Sequence, residues 1–117
     1  MGKIHVLIAD DHAVVRMGLA SLLGTAKAID VVGEAFDGED TVRKALKLKP
    51  DVVVMDLVMP RKDGIAATTE IKEKAPNVKI LILTTFSSSE NIAKALKAGA
   101  TGAVLKSSSN DELIGAV

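Results

Sequence analysis

The amino-acid sequence predicts an α/β protein, a doubly wound sandwich made of five consecutive β-α units around a parallel sheet. Three observations carry that expectation. Short runs of Val, Ile and Leu recur along the 117 residues, and near-continuous apolarity of this length marks strands covered on both faces. Between these runs, apolar residues return at helical spacing. The connections are only a few residues long, and right-handed crossovers then place helices on both sides of the sheet.

The first strand is read at Ile4 to Ala9, and Val15, Leu19, Leu22 and Leu23 mark the helix that follows. Val31 and Val32, extending towards Phe36, form the second strand, and Val42, Ala45 and Leu46 the second helix, with Asp37 ahead of Gly38 and Glu39. Val52 to Met55 is the third strand. Asp63 then precedes a helix that opens at Gly64 and carries Ile65, Thr68 and Ile71. Val78 to Leu83 is the fourth strand, followed by a helix with Ile92, Ala95 and Leu96. Ser87 stands three residues before Glu90 and Ser109 three before Glu112, the spacing at which side chains satisfy the orphan amides of a helix start. Ala103 to Leu105 is the fifth and weakest strand, and Pro50, Pro76 and Gly99 close helices or follow their ends. The last helix, from about Asn110, is cut at Val117 after two turns. Residues 1–117 therefore read as one domain, the N-terminal part of a longer protein.

Composition narrows the functions. With 48% hydrophobic and 26% charged residues the chain has material for a core and for solubility, which excludes global disorder. Fifteen basic and fifteen acidic residues cancel, so nothing marks the chain as a binder of phosphate backbones and direct nucleic-acid binding is not expected. The absence of cysteine excludes disulfides, thiolate metal sites and cysteine nucleophiles, and fits an intracellular protein. The apolar runs are too short for a membrane span, and Asp10 and Asp11 interrupt the N-terminus before a signal peptide could form, so a cytoplasmic location is expected. Two Phe, no Tyr and no Trp argue against stacked flavins and base-stacking platforms.

In an open parallel sheet ligands bind beyond the carboxyl ends of the strands. Here the first strand ends in Asp10 and Asp11, the third in Asp56, the fourth in Thr84 and Thr85, and the fifth in Lys106. Clustered carboxylates repel one another and are tolerated mainly around a hard divalent cation such as Mg2+. A lysine and a hydroxyl beside that cation would supply a charge and a donor to phosphoryl oxygens. An aspartate in the middle could be a nucleophile that forms an acyl phosphate. Read alone, Asp10 and Asp11 would be a strand end and helix cap, Asp56 a turn residue, Thr84 an ordinary strand threonine and Lys106 a solvated lysine. His12, with no second His nearby and no Cys, reads as a surface or capping residue rather than a metal ligand. His5 reads as structural, the serine triplets as loop and cap residues, and Met17, Met55 and Met59 as core or pocket-edge packing.

The segments IADDHAVVRMGLASLL, DVVVMDLVMPRKDGI, ILILTTF and KAGATGAVLK, in that order, resemble the receiver domain of two-component response regulators over essentially the whole chain. The finer pattern, DDH followed by VVRMGL and VVGEAFDGEDTV, is similar to the NarL/LuxR-type transcriptional regulators. The resemblance implies a flavodoxin-like (CheY-like) fold with strand order 2-1-3-4-5. It implies that Asp56 is phosphorylated by a sensor histidine kinase with Mg2+, and that Asp11 is a direct metal ligand, with Asp10 acting through metal or bound water. The backbone carbonyl of Val58 completes the protein ligands. Thr84 and Lys106 are assigned to the phosphoryl group, and Pro60 and Gly64 to the shape of the pocket. The domain is then a signalling switch with only limited self-catalysed phosphorylation and dephosphorylation. A C-terminal helix-turn-helix output domain that regulates transcription is implied beyond this chain, and homodimerisation on phosphorylation stays open.

The sequence departs from the family at two places. Ala103 occupies the position of an aromatic switch residue, and Ser107 follows Lys106 where many relatives have proline. The resemblance also places Val58 and Phe86, two residues beyond Asp56 and Thr84, at the approach of the hydrolytic water, and since neither can orient a water a long-lived acyl phosphate is expected. A haloacid-dehalogenase-like phosphatase would need an acid where Val58 stands, and a flavodoxin-like electron carrier is opposed by the missing Tyr and Trp. A phosphorylation-independent receiver is opposed by the intact acidic constellation.

Overall fold

The computed structural model describes residues 3–56, 63–84 and 89–105. Five strands and four helices alternate: β1 (Ile4–Ala9), α1 (Ala13–Gly24), β2 (Ile29–Ala35), α2 (Gly38–Leu48), β3 (Val52–Asp56), α3 (Gly64–Lys74), β4 (Lys79–Thr84), α4 (Ser89–Ala98) and β5 (Gly102–Leu105). All pairings are parallel, and the sheet runs in the order β2-β1-β3-β4-β5. The doubly wound expectation is met in class and in strand order.

The alternation of strand side chains sorts the core into two layers. Leu7, Ala9, Val53, Met55, Ile80 and Ile82 face Val42 and Ala45 of α2, Ala67 and Ile71 of α3, and Ala95 of α4. Val6, Ile8, Val52, Val54, Leu81 and Leu83 face Leu19, Leu22 and Leu23 of α1. β1, β3 and β4 are therefore apolar on both sides, which is why they read as uninterrupted runs. β2 is an edge strand with only its end residues buried, so Asp30 and its part-exposed middle blur the apolar signal, and it starts two residues before Val31, at Ile29 opposite Ile4.

The helix boundaries follow the expected chemistry. The Asp37 carboxylate accepts the Asp40 amide at 2.7 Å and the Asp63 carboxylate accepts the Ala66 amide at 2.8 Å, each an N-cap. α2 ends in Lys49 with φ 49, just before Pro50. Gly99 ends α4 at φ 118, where a Cβ would also come within 2.8 Å of Lys72 Cγ, so a side chain is excluded on both counts. Met55 is buried as expected, but Met17 is not core: it lies exposed on α1 with Val14, while Leu19, Ala20, Leu22 and Leu23 are the α1 residues in the core layer. The two serine-led caps at 87 and 109, Met59 and the helix from Asn110 lie outside the described residues. Among the described residues no helix is long and apolar enough to cross a membrane.

Candidate functional site

Strand register builds the site. β1 and β3 are neighbours with Ala9 opposite Met55, so Asp10, one residue beyond Ala9, and Asp56, one beyond Met55, emerge side by side at the carboxyl edge of the sheet. The Asp10 amide donates to the Ala35 carbonyl at 3.1 Å, tying it to β2 as well. Both carboxylates are buried, Asp10 at 1% exposure and Asp56 at 7%. Asp11 is more open, its side chain 31% exposed. Asp10, Asp11, His12 and Asp56 each offer a ligand atom, and these four atoms lie within 4.8 Å of one another.

Local hydrogen bonds hold the first two acids in place. Asp10 Oδ1 accepts the His12 amide at 2.8 Å, which turns the chain sharply out of β1. The carbonyl of Asp10 accepts from Arg16 Nη1 at 2.7 Å, and Arg16 Nε lies 3.4 Å from Glu34 Oε1, so a cation one turn into α1 anchors the turn from below. The alternative reading of the two acids as a helix cap does not hold. The N-cap of α1 is His12, in extended conformation, and its side chain makes no cap bond. Instead the ring lies back over the acids, with Nδ1 at 3.1 Å from both Asp10 Oδ1 and Asp11 Oδ1.

The other assigned residues are located by backbone or not at all. Thr84 is the last residue of β4, one beyond Leu83, which pairs with Asp56, so its backbone reaches the same edge. Ala103 pairs with Ile82 and packs against the α2–α4 core layer. Gly64 is buried at the start of α3, behind its Asp63 cap. Val58, Pro60, Thr85, Phe86, Lys106 and Ser107 lie outside the described residues.

The donor chemistry fits a hard divalent cation. Three carboxylates from two adjacent strands, two of them buried, are costly to assemble without a positive charge between them, and oxygen donors with an open side are what Mg2+ takes. Two features escaped the sequence. The His12 contact had a signal in its immediate adjacency to the acids, and the Arg16 anchor had one in its helical offset of four from His12.

The response regulator receiver domain family matches residues 6–117. The response regulator proteins VraR of Staphylococcus epidermidis and Staphylococcus aureus are 44% identical over 114 residues, covering 97% of this chain and 54% of theirs, so the chain spans about half the length of these curated relatives. The fold superposes on the signal receiver domain of the response regulator NarL from Mycobacterium tuberculosis with a TM-score of 0.95, at 29% identity over 99% of this chain and 94% of that one. A LuxR-family two-component response regulator from Aurantimonas sp. SI85-9A1 gives 0.94 at 38% identity, covering 98% and 82%.

Proposed function

The chain belongs to the family of response regulator receiver domains, and from that premise we propose that it is a switch in which Asp56 takes a phosphoryl group from a histidine kinase. The observation that carries the reading is the convergence of Asp10, Asp11 and Asp56 from β1 and β3 within 4.8 Å. An Asp56 carboxylate oxygen attacks phosphorus, the P–N bond to the kinase imidazole breaks, the imidazole leaves with the electron pair, and an acyl phosphate forms. Asp10, Asp11, Asp56 and the Val58 carbonyl would hold Mg2+. When bound, that ion offsets the negative charge that gathers as phosphoryl oxygens approach three carboxylates. The residues themselves do the positioning: burial fixes Asp56 at the strand end, and the Asp10 turn and Arg16 anchor fix the angle at which Asp11 is presented. Thr84 and Lys106 are assigned to donate to the phosphoryl oxygens, and the apolar Val58 and Phe86 to leave the acyl phosphate long-lived.

With Ala103 too small to act as a rotamer switch, activation runs through the segment after β4 and through α4. We read residues 1–117 as the N-terminal domain of a longer cytoplasmic regulator of transcription. The chain should gain one phosphoryl group from acetyl phosphate with Mg2+ and none with EDTA. Beryllofluoride with Mg2+ should change amide exchange between Thr84 and Ala98. Equal labelling in EDTA, or an unchanged exchange pattern, contradicts the reading.

A further inference from the structure

At the edge of the sheet opposite Asp10 and Asp56, an open cavity of about 410 Å3 lies between the loop that follows α2 and the loop that follows α3. Pro50 and Val78 are buried in its wall, Leu46 and Ala75 are half-buried, and Pro76 is exposed, so much of its surface is apolar. That size and that lining suit a small organic molecule. Both loops are braced from within. Lys72 Nζ donates to the carbonyls of Pro76 at 2.8 Å and Val78 at 3.0 Å, the Asp51 carboxylate accepts the His5 amide at 2.8 Å, and the Asp51 carbonyl accepts the Lys79 amide at 3.1 Å. The walls are therefore preformed, and these acceptors are already engaged.

Charge decides the class of molecule. Two side chains of the lining, Lys49 and Lys74, carry ammonium groups. Lys74 pairs with Glu70 at 3.2 Å, an exposed contact of small strength, whereas Lys49 has no acidic partner among the described residues. Lys49 is also the one non-glycine residue with positive φ among the described residues, at 49. Glycine or asparagine fits such a helix end at lower cost, so the lysine stands where the backbone favours another residue. The α2 dipole does not require it there, since Lys47 already supplies a cation in the last turn.

We propose that this cavity binds a small organic anion, with its apolar body on Leu46, Pro50, Ala75 and Val78 and its carboxylate on Lys49, with Lys74 beside it. The site lies away from the acidic cluster and does not rest on the phosphoryl reading.

The test is an amide-resolved NMR titration of the whole chain with naphthoate and with its neutral alcohol analogue, for the unaltered protein, Lys49→Gly and the double variant Lys49→Gly/Lys74→Gln. Glycine suits the left-handed backbone, so Lys49→Gly removes the ammonium without putting the fold at risk. Naphthoate should give saturable shifts confined to residues 45–51 and 72–79, and the alcohol should bind more weakly. Lys49→Gly should weaken naphthoate binding by about threefold and the double variant by about tenfold. Naphthoate binding that the alcohol matches, or that both variants leave unaltered, overturns the anion site. Shifts that never saturate, or that spread over the other faces of the domain, overturn the cavity as a binding site altogether.

Discussion

Two acidic turns stand at the same edge of the sheet, and they use their charge differently. After β2, Asp37 and Asp40 are both buried at 2% exposure. Asp37 accepts the Asp40 amide, while Asp40 accepts the Phe36 amide at 3.3 Å and pairs with Arg43 and, at 3.1 Å, with Lys44 on the same helix. After β1, Asp10 and Asp11 meet His12 and, across the strand register, Asp56. The first turn balances its charge with residues three and four positions along its own helix. The second gathers a further carboxylate from another strand. Acid density at a helix start therefore says little about a ligand. Delivery of acids by adjacent central strands to one point says much, because local sequence cannot neutralise such a cluster.

Substitutions sharpen the contrast. In the β1 turn the largest effect falls on the metal: Asp11→Ala should lower Mg2+ affinity by roughly tenfold or more, and Asp10→Ala by less, as titration calorimetry would show. Equal losses would count against distinct direct and indirect roles. Without metal, Asp11→Ala should raise the melting temperature by relieving repulsion, whereas Asp10→Ala should not, because it also gives up the bond from the His12 amide.

In the β2 turn the effect falls on stability alone. Asp40→Ala should cost about 1–3 kcal/mol in urea denaturation, since it leaves the Phe36 amide without its acceptor and removes both helix pairs, with Mg2+ affinity unchanged. A loss of Mg2+ affinity there would erase the distinction drawn between the turns. Smaller still, Asp37→Ala and Asp63→Ala should each cost about 1 kcal/mol as lost N-caps, the exposed Asp63 bond less than the buried Asp37 bond.

What could be read from sequence follows the same division. β1, β3 and β4 were legible because both faces are buried and the runs are unbroken. The edge strand β2 reads shorter than it is because Asp30 and the half-buried residues after it blur the apolar signal. Asp10, Asp11 and Asp56 were legible as strand ends, since any parallel sheet puts such residues on one edge. The turn of the His12 ring onto the acids was not, because it depends on an extended N-cap and a single backbone bond. Neither was the exposure of Met17, since helical spacing alone does not say which of the apolar positions on α1 face the sheet.

On the proposed reading, convergence across strands rather than acidity makes Asp56 the phosphoryl acceptor. Intact mass after incubation with acetyl phosphate and Mg2+ tests it most directly, on the unaltered chain, Asp40→Asn and Asp56→Asn. One added phosphoryl group is expected on the unaltered chain and on Asp40→Asn, and none on Asp56→Asn. An equal gain on Asp56→Asn would contradict it.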